Sequence, residues 1–443
     1  MKKALAFIIM TSIVALAACS NDYHEAVDVF DLNVVLTNGD EGTPLSGARV
    51  ELRSIGRDAI FVDTTDTQGT AHFAVPAGIY QASSAYTNKS GVNTVEIANA
   101  TSGQFVVGNE EGTATINIKM SKSRLSQLVI KELYNGGIKK EDGTAFHYDK
   151  SFIIYNNTSV RASYSNLCVG IGTPYNSQAN NKWYDGNGHL SYEAEGYMPA
   201  IDGIWYFPQT LTIEPYQQVV VNCHGAIDNT QTYPESVNYA KADYYCMYDP
   251  EAGYVNVNYY PTPASIIPTD HYLKAAKIGL SNAWALSNSS PALFLFQVPD
   301  VTPLQFASNT SNMTYTPGSA QTDVNKVVKV PIDWIIDAIE VFAASYKSSN
   351  TKRLPASVDA GYVELTNQLG HTLYRNVDKA ATEALPENEG KLVYNYAMSV
   401  QPDAEPSKID AEASIKNGAH IVYMDTNNST ADFHERLTSS LKQ

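Results

Sequence analysis

Leu128-Val129-Ile130-Lys131-Glu132-Leu133-Tyr134-Asn135 and, a short way on, Tyr148-Asp149-Lys150-Ser151-Phe152-Ile153-Ile154-Tyr155-Asn156-Asn157 decide how this chain of 443 residues is read. Each run alternates apolar and polar residues and is rich in β-branched and aromatic side chains, the pattern of a half-buried strand. Asn135-Gly136-Gly137 ends the first run, and Asn156-Asn157-Thr158-Ser159 ends the second with side chains that bond their own backbone in turns. A hairpin of two half-buried strands is expected.

Around this hairpin the totals set bounds. A chain of this length suggests two or three domains. With 44% hydrophobic and 17% charged residues it reads as a folded, water-soluble body. The net charge of −16 argues against nucleic acid as a partner, because no cluster of Lys and Arg is present to neutralise phosphates. The 29 tyrosines suit the surfaces of β-sheets in a secreted protein.

The hairpin resembles the opening of a lamin-tail-type, Ig-like β-sandwich, with Ile130, Glu132, Asp149, Phe152, Ile154, Tyr155 and Asn156 at the matching places. Ile153 stands where that family carries Glu, so any role of that carboxylate is absent. Further echoes follow in order. They are Asn166–Gly172, Pro215–Cys223, Ala283–Phe296, the Val330–Phe342 run with its Trp334-Ile335-Ile336-Asp337, and Met424–Phe433 with Asp425-Thr426-Asn427-Asn428-Ser429. The resemblance implies one sandwich over residues 125–443 with long insertions at 173–214 and 225–282. Upstream, Gly42-Thr43-Pro44-Leu45-Ser46-Gly47-Ala48, Thr65-Asp66-Thr67-Gln68-Gly69 and Pro76-Ala77-Gly78-Ile79-Tyr80 resemble a carboxypeptidase regulatory-type module. That implies a small prealbumin-like β-sandwich over residues 28–120, with Gly47, Gly69 and Gly78 at positive φ in its turns. Ser121–Arg124 would be a polar junction. The fold class expected throughout is all-β.

Candidate chemistry is sparse. Asp185-Gly186-Asn187-Gly188-His189 and Asp425–Ser429 space oxygen-bearing side chains as calcium loops do, but both lack the EF-hand Gly and Glu, and Asx turns explain them equally. The nine histidines show no metal-ligand spacing, and Asp270-His271 and His147-Tyr148-Asp149 read as polar turn contacts. Neither a catalytic residue nor a cofactor is expected. Of Cys168, Cys223 and Cys246, at most two can pair with one another. Cys223 and His224 are neighbours on a strand, where side chains point to opposite faces. The unusual segment is Tyr233–Tyr272, with nine tyrosines among Pro, Asn and Asp. Two readings stand: rings that cover a long insertion, or a ligand or partner surface carried by exposed members such as Tyr244, Tyr245, Tyr259 and Tyr260.

The front of the chain supplies an address. Residues 1–18 have two lysines and a short apolar run, which fits a signal peptide better than a membrane span. Leu16-Ala17-Ala18-Cys19 resembles a bacterial lipobox, which implies that Cys19 is lipidated and becomes the mature N-terminus. Residues 19–27 then form a tether whose Asn21, Asp22 and Glu25 resemble the surface-export signal of Bacteroidetes lipoproteins. The whole layout resembles an uncharacterised family of such lipoproteins. It implies a cell-surface, outer-membrane protein that serves a nutrient-uptake system without catalysis, with the membrane and an outer-membrane transporter as its partners. A structural or adhesive envelope protein, and a glycan or peptide hydrolase using carboxylates from the insertions, are the alternatives. Acyl chains on Cys19 would each add about 0.8 kcal/mol per buried methylene. The Cys19→Ala variant is therefore expected to lose palmitate labelling and leave the membrane fraction; a variant that stays labelled and bound would refute the anchor.

Overall fold

The computed structural model describes residues 28–442 apart from 39–41, 56–58, 90–94, 103, 109–112, 126 and 347–348. The signal peptide, Cys19 and the tether lie outside the described residues. In the first module, alternation does what the sequence asks. Val29–Asn38 turns Leu32, Val34 and Leu36 inward, Thr70–Pro76 turns Ala71, Phe73 and Val75 inward, and Arg49–Ile55 contributes Val50 and Leu52. These meet Tyr80, Ala82, Ile118 and Met120 in one small core. The strands run in the order Ile60–Thr64, Arg49–Ile55, Gly78–Lys89, Val95–Thr101, Ala114–Leu125, Val29–Asn38 and Thr70–Pro76, and Phe105–Val107 also pairs with Gly78–Lys89.

The three turn glycines divide. Asp66 Oδ1 accepts the N–H groups of Gln68 and Thr70, both at 2.9 Å, and folds the chain so that Gly69 has φ +76°. A Cβ on Gly69 would lie 2.6 Å from the Leu36 carbonyl oxygen, so only glycine fits. Gly47 also has positive φ, whereas Gly78 does not; it opens a strand, and the chain passes it extended. The polar junction moves as well. Ala114–Leu125 is one strand whose residues 121–125 pair with Val95–Asn99, because backbone pairing is indifferent to the polarity of Ser121–Arg124.

The body is built on one twelve-stranded sheet folded over on itself. Its order is Val363–Leu365, Ile335–Ala343, Ala292–Gln297, Leu167–Ile171, Gly203–Tyr206, Tyr272–Lys277, Tyr245–Met247, Gln218–Asn222, Ser151–Asn156, Leu128–Tyr134, Thr372–Arg375 and Phe433–Arg436. The expected hairpin is there: Ser151–Asn156 pairs antiparallel with Leu128–Tyr134. The register slips between Ile153, opposite Glu132, and Ile154, opposite Ile130, so Lys131 is the extra residue of a bulge. Leu128, Ile130, Phe152 and Ile154 of one half-sheet face Val169, Ile171, Leu293, Leu295, Ile339 and Val341 of the other across the main core.

Three expectations are corrected here. The hairpin strands are not half-buried: every residue of Leu128–Tyr134 and Ser151–Asn156 is buried. Their outward side chains Val129 and Tyr155, with Tyr374, pack under Val377, Ile409, Ala411, Ile421 and Tyr423 from the C-terminal stretch. The segments 173–214 and 225–282 are not appendages, since Gly203–Tyr206, Tyr245–Met247 and Tyr272–Lys277 lie in the middle of the sheet. Two of the links between the half-sheets are parallel pairings, Gln218–Asn222 with Tyr245–Met247 and Tyr245–Met247 with Tyr272–Lys277. The run Val330–Phe342 is not one strand. Lys326–Pro331 belongs to a three-stranded sheet with Tyr197–Ile201 and Met313–Tyr315, and a 3₁₀ turn at Ile332–Trp334 leads into Ile335–Ala343. That small sheet covers Cys168, Phe294 and Phe296 on the outside of the second half-sheet, together with Trp183, Tyr192 and Phe306.

Burying both faces forces the charged residues of the sheet to find partners inside. Arg353 and Glu340 are fully buried side by side. Arg353 Nε and Nη2 donate to Glu340 Oε1 at 2.9 and 2.6 Å, and Glu340 Oε2 accepts the backbone N–H groups of Arg353 and Leu354. Arg353 Nη1 donates to the Ser290 carbonyl at 2.7 Å. Removing one member strands the other charge in a dry site. Arg353→Met is expected to lower the unfolding free energy by about 3–5 kcal/mol, read as a lower urea midpoint with an unchanged slope.

Candidate functional site

The tyrosine-rich segment is a packed element. None of its nine tyrosines is exposed, which corrects the exposure expected of Tyr244, Tyr245, Tyr259 and Tyr260. Tyr260 is buried in the main core, its hydroxyl accepting the Trp284 N–H at 3.0 Å and donating to the Trp284 carbonyl at 3.2 Å. Tyr254 stacks on Trp205 with centroids 5.4 Å apart. Tyr259 stands edge-on to Tyr148 and to His224. Half-buried Tyr245 stacks on His271 at 4.1 Å, and half-buried Tyr244 packs beside Tyr134, Val237 and Tyr239. The physical reason is local: the strands that join the half-sheets here are short, and broad rings fill the space their few side chains leave.

The calcium-like loops resolve as turns. Asp185 Oδ1 accepts the N–H groups of Asn187 and His189, at 2.8 and 2.9 Å. Asn428 caps the short helix Ser429–Asp432 by accepting from Thr430 N. Among the described residues no group of three His, Cys, Asp or Glu side chains is placed to hold a metal ion. Cys168, Cys223 and Cys246 are buried and free of one another. His271 Nδ1 donates to the Tyr244 carbonyl oxygen at 3.1 Å rather than meeting Asp270. Asp149 is fully buried against the Tyr134 and Ser236 hydroxyls, away from any pairing with His147.

Asp425 and Asp432 of the closing motif have a different task, together with Asp337. All three converge on one buried guanidinium, that of Arg375, a residue that no local motif marks. Arg375 Nε donates to the Ile130 carbonyl and Nη1 to the Met424 carbonyl, while Asp337 Oδ2 accepts both Arg375 Nη2 and the Ile130 N–H. One cation faces three carboxyls, and burial together with the neighbouring Asp337 pushes the Asp425 carboxyl well above its usual range. A second centre surrounds Lys150, whose Nζ donates to the Leu286 carbonyl. His224 Nε2 meets the Trp284 carbonyl at 3.0 Å and Asn135 Nδ2 donates to the Ser287 carbonyl at 2.9 Å. Three buried polar side chains thus pin the carbonyls of Trp284, Leu286 and Ser287 in one loop.

Open space lies at the surface. One groove of about 510 Å³ runs between Tyr362 and Glu435, floored by Val363 and Phe433. Another of about 510 Å³ lies between Tyr394 and the turn at Pro386–Gly390, and a third of about 520 Å³ lies between Lys139–Asp142 and Tyr233–Glu235. All three have the volume of small-molecule sites. They differ in their tyrosine. The Tyr394 hydroxyl is tied to Glu383 and Lys379 sits 5.7 Å from its ring centre, and Tyr233 lies tilted by 33° on Phe146. Tyr362 alone lies flat, 4.0 Å from Phe342 and within 15° of parallel.

A profile for a family described as "Protein of unknown function (DUF4876)" matches residues 214–440, just over half of the chain. The chain belongs to the DUF4876 family. A DUF4876 family protein from Bacteroides thetaiotaomicron VPI-5482 is 19% identical, over 91% of this chain and 94% of that one, with a TM-score of 0.51. At that identity the likeness is one of fold, and it agrees with an all-β architecture. A DUF3823 family protein from Parabacteroides merdae ATCC 43184 is 14% identical over 44% of this chain and 81% of its own, at a TM-score of 0.16, too low to support any argument. A search of the curated proteins gave no match. The expectation of an uncharacterised Bacteroidetes family thus holds in its coarser form for this DUF4876 chain.

The Lys150 centre makes a pH prediction. Burial lowers its ammonium from 10.5 to about 7, against the opposing pull of Asp149 and Cys223, with His147 and His224 close by. The unfolded chain therefore holds a proton that the folded one has released between about pH 7 and 10.5, so this group makes stability rise with pH across that window. The slope has a ceiling of about 1.4 kcal/mol per pH unit. Urea unfolding between pH 7 and 9 should show this rise in the native chain and a flatter profile in Lys150→Met; an unchanged profile would refute the assignment.

Proposed function

We propose that this protein is a surface-exposed, lipid-anchored outer-membrane protein that binds a ligand or partner for a nutrient-uptake system without catalysing a reaction. The observation that carries this reading is how its acid chemistry is spent. Asp337, Asp425 and Asp432 surround Arg375, Glu340 pairs with Arg353, and Asp359 accepts from the backbone of Glu340, Gly361 and Ser429. These buried carboxyls hold a sandwich together, while the grooves open at its surface, lined by strand ends and by loops, where binding groups collect on a rigid scaffold. The lipobox-like Leu16–Cys19 supports the address and the acidic tether supports export.

Proteinase treatment of intact cells should remove the protein while sparing periplasmic markers. Crosslinking from outer membranes, with partners identified by mass, should recover an outer-membrane transporter in the native strain and not in the Cys19→Ala strain. Protection in intact cells, or a partner set equal in both strains, would refute this reading.

A further inference from the structure

The groove between Tyr362 and Glu435 is built differently from the other two. Tyr362 is 40% exposed, yet one face of its ring is covered by the buried Phe342 in a near-parallel stack 4.0 Å apart. Its backbone is held on both sides by a single hydroxyl: Tyr362 N–H donates to Thr430 Oγ1 at 3.0 Å, and Thr430 Oγ1 donates to the Tyr362 carbonyl at 2.8 Å. The preceding Gly361 is wedged so closely that a Cβ there would lie 1.9 Å from Asn428 Oδ1. An exposed aromatic ring is thus fixed in place before any ligand arrives, which spares the cost of ordering it.

Opposite lies planar polar chemistry. Glu435 Oε1 accepts the Thr366 N–H at 2.8 Å and meets His371 Nδ1 at 2.7 Å, which sets the plane of its carboxylate. Gln401, an exposed residue, adds an amide to the lining of the groove. From Tyr362 to Thr366 the groove follows an extended stretch of about 13 Å, at about 3.3 Å per residue. A flat apolar platform beside a carboxylate and an amide suits a ring with an apolar C–H face and a rim of hydroxyls. The C–H bonds pack on the electron-rich ring face and the hydroxyls donate to the carboxylate and amide oxygens.

We propose that the groove between Tyr362 and Glu435 is an oligosaccharide-binding site, with Tyr362 as the stacking platform and Glu435 and Gln401 as hydroxyl partners. The inference rests on the binding role proposed above and names its ligand class. A peptide is the competing occupant, adding a strand along Val363–Leu365. The ties Tyr362–Thr430 and Thr366–Glu435 stand at both ends of that strand and obstruct a continuing main-chain ladder.

The test uses the full mature chain on an array of linear plant, microbial and host oligosaccharides, with each hit followed by calorimetry. At least one oligosaccharide should bind, and Tyr362→Ala should weaken it about tenfold or more, the scale of one lost aromatic contact. Tyr394→Ala, in a different groove, should leave binding unchanged. Should Tyr362→Ala fail to fold, the exposed Gln401→Ala decides, with a several-fold loss expected at an unchanged melting temperature. An array without hits, binding that survives Tyr362→Ala or Gln401→Ala, or capture of peptides with no sugar would each overturn the proposal. Those outcomes leave the accessory role standing if the crosslinked transporter is still recovered, so the two failures are distinguishable.

Discussion

The guanidinium of Arg375 holds the two half-sheets at the side where, among the described residues, no strand pairing joins them. Through Asp337 it grips Ile335–Ala343, and through the Ile130 carbonyl it grips the bulged strand Leu128–Tyr134. The bulge at Lys131 frees both polar groups of Ile130 from the ladder, and each finds a partner in this ion pair. A matching irregularity between Leu295 and Phe296 brings Asp337 into reach from the other side. A buried charge pair of this kind gains little net energy, but losing either half is costly. Its role is geometric: it ties the separation and register of the half-sheets to the one arrangement in which Arg375, Asp337 and Ile130 meet.

The same constraint explains which parts of the fold were legible. Leu128–Tyr134 and Ser151–Asn156 showed in the sequence because alternation and turn chemistry are local. That their polar members Lys131 and Glu132 are buried was not legible, since their partners Glu412, Thr372 and Ser440 come from far along the chain. Alternation distinguishes two faces of a strand; it does not say that the second face is wet. Likewise the three strands that segments 173–214 and 225–282 lend to the twelve-stranded sheet carry too few residues to display a period, so stretches that close the sandwich read as excess.

Site residues obeyed a similar rule. The concentration of tyrosine between 233 and 272 was conspicuous, yet composition does not encode direction, and none of these nine residues is exposed. Tyr362 stands in an unremarked stretch after Ser345, and only the fold lays it on Phe342, twenty residues earlier in the chain. Asp337, Asp425 and Asp432 were visible as parts of resemblance motifs, whereas Arg375, which gives them their purpose, had no local signature.

The closure at Arg375 also dictates an order of assembly. The bond from Arg375 to Ile130 spans 245 residues and that from Asp337 to Ile130 spans 207. Contacts between such distant partners must overcome a large loop-closure entropy before they return any stabilisation. The first module, whose strands all lie within Val29–Leu125, has no such debt and can condense early. The body must wait for its last sixty or so residues, because Phe433–Arg436 is the outermost strand and Asp425 and Asp432 complete the charge cluster. A chain built this way stays open through most of its emergence and becomes a sandwich only at its end.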